Sequence, residues 1–374
     1  MQYRKFGKLN LKVSALGFGT MRLPTVGDDS KNIDEKESIK MIRYAIENGL
    51  NYVDTAYPYH GGNCEILTGK ALKEGYRNKT YLATKLPVWL VNSKRDMDDK
   101  LNEQLKKLDT EYIDFYLFHS MNKESWGNLL KFDPLDWAEN KIKEGKIGYI
   151  GFSFHDEFSV FKEMIDYYDK WTFCQIQYNY LDINFQAGTR GLKYAADKGL
   201  AVIVMEPLRG GKLARLPVLV RGILEETGIE RSDVEWGLQW VWNHSEVSLA
   251  LSGMNTFEQV KQNIDYASRS GTNHLTKKEV EAIDKACKKF TELTPIQCTS
   301  CGYCLPCPNE VFIPQNLSIY NEAMLFGDVE LARRKYSRLQ GKADLCIECS
   351  QCESKCPQKL PIIDLLKQVR TEFE

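Results

Sequence analysis

Ile113-Asp114-Phe115-Tyr116-Leu117-Phe118-His119 places five apolar or aromatic residues within seven and ends on a histidine. A run so continuous and so short suits a strand buried on both faces, as in a parallel sheet. Moving outward in both directions, the same signature recurs. Ser14–Gly19, Asn51–Asp54 and Thr80–Lys85 precede it, and Ile147–Phe152, Phe173–Gln177, Ala201–Met205 and Ser248–Ser252 follow. The gaps carry helical periodicity: Ile39, Ile42 and Ile46 mark one face, which stops at Asn48-Gly49, and Leu101, Leu105 and Leu108 mark another. Eight strands, each followed by room for a helix, is the count of a (β/α)₈ TIM barrel in the α/β class. A doubly wound open sheet remains the alternative that periodicity alone does not exclude. Ahead of the first strand, Tyr3–Val13 with a turn near Gly7-Lys8 reads as a hairpin closing the barrel floor.

A chain of 374 residues exceeds one ordinary domain and accommodates a large barrel plus a smaller module. The expected division is residues 1–290 for the barrel and 291–374 for the second module. Thr276–Phe290 reads as a last helix opened by a Thr276/Glu279 capping box, and Thr291–Pro295 as a linker. With 43% hydrophobic and 27% charged residues the composition is globular, and no apolar run reaches the 18 or so residues a membrane span needs. The net charge of −1 makes no case for nucleic acid or anionic lipid. The first residues lack an apolar leader segment, so a cytoplasmic location is expected. Eleven cysteines, eight of them within Cys298–Cys356, then read as metal ligands rather than as a secreted disulfide scaffold.

Barrel chemistry sits where strands end at the C-terminal face. Those ends here are Asp54, Lys85 and His119, on three consecutive strands, with Tyr59 in the loop just beyond Asp54. Each alone has a plainer reading, a structural ion pair or a rim histidine; together they converge on one spot. Asp54-Thr55-Ala56-x-x-Tyr59, followed by Lys85 and His119, resembles the aldo/keto reductases, as does Gly17-Phe18-Gly19-Thr20-Met21-Arg22. The resemblance runs over about residues 1–285, and its spacing selects Tyr59 over the neighbouring Tyr57. It implies a catalytic tetrad of Asp54, Tyr59, Lys85 and His119. A tyrosine titrates near pH 10, and an adjacent lysine cation favours the phenolate and lowers that value. Asp54 would hold Lys85, Tyr59 would give a proton to a carbonyl oxygen as hydride arrives at carbon, and His119 would orient that oxygen.

The same resemblance implies nicotinamide contacts, with NADP(H) or NAD(H) as cofactor. Thr20 and Asp54 are among them, Ser153 and Gln175 match the residues that hold the carboxamide, and Met205 stands where the family stacks an aromatic. Phe154-His155 departs from the asparagine that often follows the serine. The loop Glu206-Pro207-Leu208-Arg209-Gly210-Gly211-Lys212 suits phosphate, Leu208 and Gly210 included. Thr256-x-x-Gln259 reads as a capping box opening a helix whose N-terminus favours anions. Asn263 matches the adenine-side asparagine. Gly253 and Gln259 fall where relatives that prefer the 2′-phosphate carry a Lys and an Arg, so weak discrimination between NADH and NADPH is expected.

Cys298-x₂-Cys301-x₂-Cys304-x₂-Cys307-Pro308 and Cys346-x₂-Cys349-x₂-Cys352-x₃-Cys356-Pro357 are the sharpest local signals. The second has the spacing of the bacterial [4Fe–4S] ferredoxin run; the first is one residue short. Zinc, the plainer alternative, takes four ligands, usually in two separated pairs, and leaves the extra close cysteines unexplained. Two motifs imply two [4Fe-4S] clusters with exchanged fourth ligands: Cys298, Cys301 and Cys304 with Cys356, and Cys346, Cys349 and Cys352 with Cys307. The spacer reads as helices, Pro314 through Met324 and Leu331 to Leu339, giving a helical two-cluster ferredoxin-like module. Its basic residues Arg333, Arg334, Lys335 and Arg338 read as a solvated helix face.

The resulting expectation is a nicotinamide-dependent oxidoreductase that reduces a small-molecule carbonyl or oxidises an alcohol. Nicotinamides carry electrons in pairs and clusters carry them singly. The clusters are therefore structural, or serve an electron-transfer protein partner, or couple through a flavin in the barrel. The rival from another class is an electron-transfer or redox-sensing protein whose barrel binds nicotinamide or flavin without carbonyl turnover.

Overall fold

The computed structural model describes residues 1–27, 29–298, 302–356 and 358–374. A two-stranded hairpin, β1 (Tyr3–Lys5) and β2 (Lys12–Ser14), precedes eight parallel strands: β3 (Leu16–Gly19), β4 (Tyr52–Asp54), β5 (Tyr81–Leu86), β6 (Ile113–Met121), β7 (Ile147–Phe154), β8 (Phe173–Gln177), β9 (Ala201–Met205) and β10 (Val247–Gly253). They close as a barrel in chain order, with β10 pairing back onto β3. All eight apolar runs became strands, and the open-sheet alternative falls. Among the described residues no helix is long and apolar enough to cross a membrane.

Inward-facing residues fill the barrel. Tyr52, Phe115, Leu117, Phe173, Ile203 and Leu249 pack with Phe6 from the hairpin turn, whose ring lies 4.5 Å from Phe115 and 5.7 Å from Phe173. Gly7 has φ +53°, and a side chain there would strike the backbone of Ala201, so only glycine turns the hairpin this close to the floor. Arg4 finishes the plug. Its guanidinium donates to the carbonyls of Trp242, Val247, Gly271 and His244, satisfying backbone groups that the floor buries.

The chain divides into two compact units, Met1–Arg215 with Arg231–Thr276, and Leu216–Glu230 with Lys277–Glu374. This differs from a single cut at residue 290. The last helix of the repeat runs Lys277–Leu293, so Thr291–Leu293 is helical rather than linker. That helix packs on Val218–Glu225, a helix inserted between β9 and β10, and Lys278 Nζ donates to the Thr227 carbonyl at 3.0 Å. Beyond it, helices Ile313–Phe326, Val329–Ser337 and Ile362–Phe373 enclose Ile313, Leu317, Tyr336, Leu366 and Val369, with cysteines packed against this core. Pro314 sits in the first turn of the first helix, where it forfeits no hydrogen bond. Gly327 ends that helix in the left-handed conformation.

Candidate active site

Strand register brings the expected residues together. Asp54 ends β4 opposite Gly19 and Ala83, Lys85 lies one residue from the end of β5 opposite Leu117, and Ser153 on β7 faces Gln175 on β8. Lys85 is fully buried, and its Nζ donates to Asp54 Oδ1 at 2.7 Å and to the Thr55 carbonyl at 2.8 Å. The Tyr59 hydroxyl stands 3.5 Å from the same Nζ. Tyr57, the competing tyrosine, turns away to Lys100 at 3.1 Å and Glu103 at 3.2 Å. His60 places its Nδ1 2.6 Å from the Ser30 carbonyl.

Electrostatics correct one expectation. Burial pushes the Tyr59 hydroxyl up; Lys85 pulls it down but does not overcome that, and Asp54 pushes it further up. The lysine charge is already answered by a carboxylate 2.7 Å away, so its field at the phenol is weakened. Tyr59 is therefore a protonated phenol at neutral pH, the form a proton donor needs. Burial alone would lower Lys85, but Asp54 and Tyr59 outweigh it and hold the ammonium charged.

His119 lies on β6 with its ring 6.1 Å from that of Tyr59 and 5.1 Å from that of Trp89. Burial, reinforced by Lys85 and His155, pushes its imidazole down to about 2, so it is neutral at physiological pH. Nδ1 has no hydrogen-bond partner among the described residues, and neither do Asp54 Oδ2 and Gln175 Oε1. Three buried polar atoms left open on β4, β6 and β8 point to a ligand that completes them.

The remaining expected contacts are placed with some differences. Thr20 donates its hydroxyl to the Asp54 carbonyl at 2.9 Å, bracing the strand end. Ser153 Oγ accepts from Ser120 N–H at 2.8 Å, leaving its own proton to donate. Gln175 Nε2 lies 3.5 Å from the Met205 sulfur. Leu208 packs against Gly237, and Gly210 and Gly211 take positive φ in the following turn. Arg209 is engaged with Asp182 at 3.2 Å. Thr256 caps the helix Phe257–Ser268 by accepting from Gln259 N–H, but the Gln259 side chain accepts from Asn255 instead of completing the box. Asn263 is buried and donates to Ser252 Oγ at 3.0 Å.

A polar network behind the tetrad went unread in the sequence. Fully buried Glu65 accepts from Thr84 Oγ1 at 2.7 Å and Gln104 Nε2 at 2.6 Å; Gln104 also donates to the Lys85 carbonyl at 3.0 Å and accepts from the Tyr116 hydroxyl at 2.6 Å. One signal was present. Gln104 sits on the stripe of Met97, Leu101 and Leu108, the buried face of helix Lys94–Leu108, where a polar residue needs a partner.

In the C-terminal unit the cysteines line two apolar cavities. Cys304, Cys307, Cys346, Cys349 and Cys352 surround one with Val311, Ile313 and Leu366; Cys298, Cys304 and Cys356 surround the other with Pro314, Leu317 and Ile362. Cys301 lies outside the described residues. Among those described, no three potential ligands converge tightly enough for a single ion. Thiolate donors on an apolar lining fit an iron–sulfur cluster. Cys174 is plain core, and Arg333 and Lys335 pair with Glu330 and Glu322 on an exposed helix face.

Comparisons with known proteins match the barrel and the cysteine-bearing segment. The aldo/keto reductase family model matches residues 15–288, and a 4Fe-4S dicluster domain matches residues 297–360. The chain is 34% identical to "Probable aldo-keto reductase 1" of Glycine max over 162 residues, 40% of this chain and 44% of that protein. It is 26% identical to L-galactose dehydrogenase of Arabidopsis thaliana over 78% of this chain and 97% of that protein. Among solved structures, the holo form of aldo-keto reductase AKR11C1 from Bacillus halodurans aligns at 28% identity with a TM-score of 0.63, covering 76% of this chain and 96% of that one. With a tetrad at the barrel mouth and paired cysteine motifs beyond it, the chain belongs to the aldo/keto reductase family and carries a 4Fe-4S dicluster domain.

Proposed function

We propose that this protein interconverts a small-molecule carbonyl and its alcohol with a nicotinamide cofactor, using Tyr59 as the acid or base. The observation that carries the reading is the Asp54–Lys85–Tyr59 chain beside a neutral His119. The open acceptor of Gln175 and the free proton of Ser153 fit the two ends of a carboxamide. Met205 would lie against the ring, Leu208 and Gly210 along the phosphates, and Asn263 near the adenine.

When bound, the nicotinamide supplies or takes the hydride. Tyr59 gives its proton to the carbonyl oxygen in reduction and recovers it in oxidation. Lys85 steadies the phenolate left behind, and Asp54 keeps Lys85 charged and in place. Neutral His119 donates a second hydrogen bond to the same oxygen, fixing the face that reacts. Uncharged Gly253 and Gln259 support use of both NADH and NADPH.

For the clusters, Cys298, Cys301, Cys304 and Cys356 are assigned to one, and Cys346, Cys349, Cys352 and Cys307 to the other. Cys298 and Cys356 lining one cavity, and Cys307 with Cys346, Cys349 and Cys352 lining the other, support that exchange. One-electron carriers have no place in a hydride step, so the clusters are assigned to the integrity of the module and to exchange with a protein electron partner.

The test is Tyr59→Phe in anaerobically prepared full-length protein, assayed with both nucleotides against a carbonyl and alcohol panel that includes L-galactose. Reduction should fall about 10²–10⁴-fold with nucleotide affinity unchanged. Turnover within threefold of the parent would sink the assignment.

A further inference from the structure

A dinucleotide brings phosphates that need a cation, and the positions near β10 where relatives that prefer the 2′-phosphate carry a Lys and an Arg are here Gly253 and Gln259. Arg209 is held by Asp182 at 3.2 Å, and Lys261 lies over the Phe257 ring at 5.1 Å. A further cation also reaches the mouth. Arg22 ends the short turn Thr20–Arg22 that follows β3, and β3 pairs Gly19 with Gly253. Its aliphatic stem lies across Gly253: a Cβ there would sit 3.2 Å from the Cβ, Cγ and Cδ of Arg22. Its Nη2 reaches 3.4 Å from the Cβ position of Gly210, and the Glu206 carboxylate lies 3.6 Å from that same position. One side chain thus spans from the end of β10 to the glycine turn after β9.

We propose that Arg22 is the phosphate clamp of the nicotinamide cofactor, and that Gly253 is glycine because the Arg22 stem fills the space a side chain would take. The inference rests on the nicotinamide reading above and assigns Arg22 to the pyrophosphate. Its guanidinium lies beside Gly210, in the turn where Gly210 and Gly211 take positive φ, and among the described residues no contact places it at the start of the Phe257–Ser268 helix where a 2′-phosphate would be read. Arg22 is exposed on a short turn, so replacing it leaves the barrel core intact.

The experiment is titration of full-length protein with NADH and with NADPH, without carbonyl, followed by quenching of tryptophan fluorescence. Arg22→Met is expected to weaken both nucleotides equally, by about tenfold to hundredfold, the value of one charge-assisted hydrogen bond. Gly253→Ala keeps the charge but presses on the stem. It should weaken NADH about threefold in the parent and have no effect beside Arg22→Met, a non-additive pair. Unchanged binding in Arg22→Met, a loss confined to NADPH, or additive effects of the two substitutions would each overturn the proposal. A parent that binds neither nucleotide would remove the nicotinamide reading and this inference with it; a parent that binds both, with Arg22→Met unaltered, removes this inference alone.

Discussion

Replacing Lys85 by Met tests the buried ion pair on which the site is built. Lys85 has no exposed surface and the Asp54 side chain only 4%, and their contact is 2.7 Å. Methionine keeps much of the volume but removes the charge and the bond to the Thr55 carbonyl. Breaking one side of a buried pair typically costs about 3–5 kcal/mol, because the other charge is stranded. Asp54 will answer by binding a proton. Burial already pushes its carboxyl up, with Lys85 pulling it back, and the variant loses that pull. A carboxyl raised in the folded state binds more protons folded than unfolded, so stability falls as pH rises between the two values. The variant's deficit should therefore be smaller at pH 5 than at pH 8. Asp54→Asn with Lys85→Met removes both charges and should recover most of the loss. All seven tryptophans lie in the barrel unit, so their fluorescence in urea follows that unit alone. A deficit below about 1 kcal/mol, or a double variant as unstable as Lys85→Met, would refute the reasoning.

The neutral His119 has a pH signature of its own. Its imidazole sits at about 2 when folded and near 6.5 when unfolded, so the unfolded chain binds the extra proton and stability falls with acid below about pH 6.5. Between pH 7 and pH 5 the parent should lose about 2 kcal/mol more than His119→Gln; equal slopes in urea unfolding would contradict this. For the C-terminal unit, anaerobically prepared protein should hold about eight irons and eight sulfides, and Cys352→Ser about four irons fewer or an unfolded module. Stoichiometric zinc without iron after anaerobic reconstitution would overturn the cluster assignment.

Barrel topology was legible because a parallel strand buried on both faces writes its environment into consecutive residues. Ile113–His119 needs no distant information to be recognised, and the polar residue closing such a run is placed at the mouth by the fold. Asp54, Lys85 and His119 could thus be read as neighbours before any contact was known, and cysteine spacing was equally local. What the chain folds against itself was not written locally. Whether Lys85 lowers Tyr59 depended on the competing effects of burial and Asp54. The Glu65–Thr84–Gln104 network joins residues 19 to 39 positions apart, and a buried carboxylate has the same letter as an exposed one. The helix Val218–Glu225 joined the C-terminal unit because Lys277–Leu293 covers its apolar face, a partner chosen some 60 residues away. Arg22 over Gly253 is of the same kind: only barrel closure, which sets β3 beside β10, lays its stem across Gly253 and its guanidinium beside Gly210.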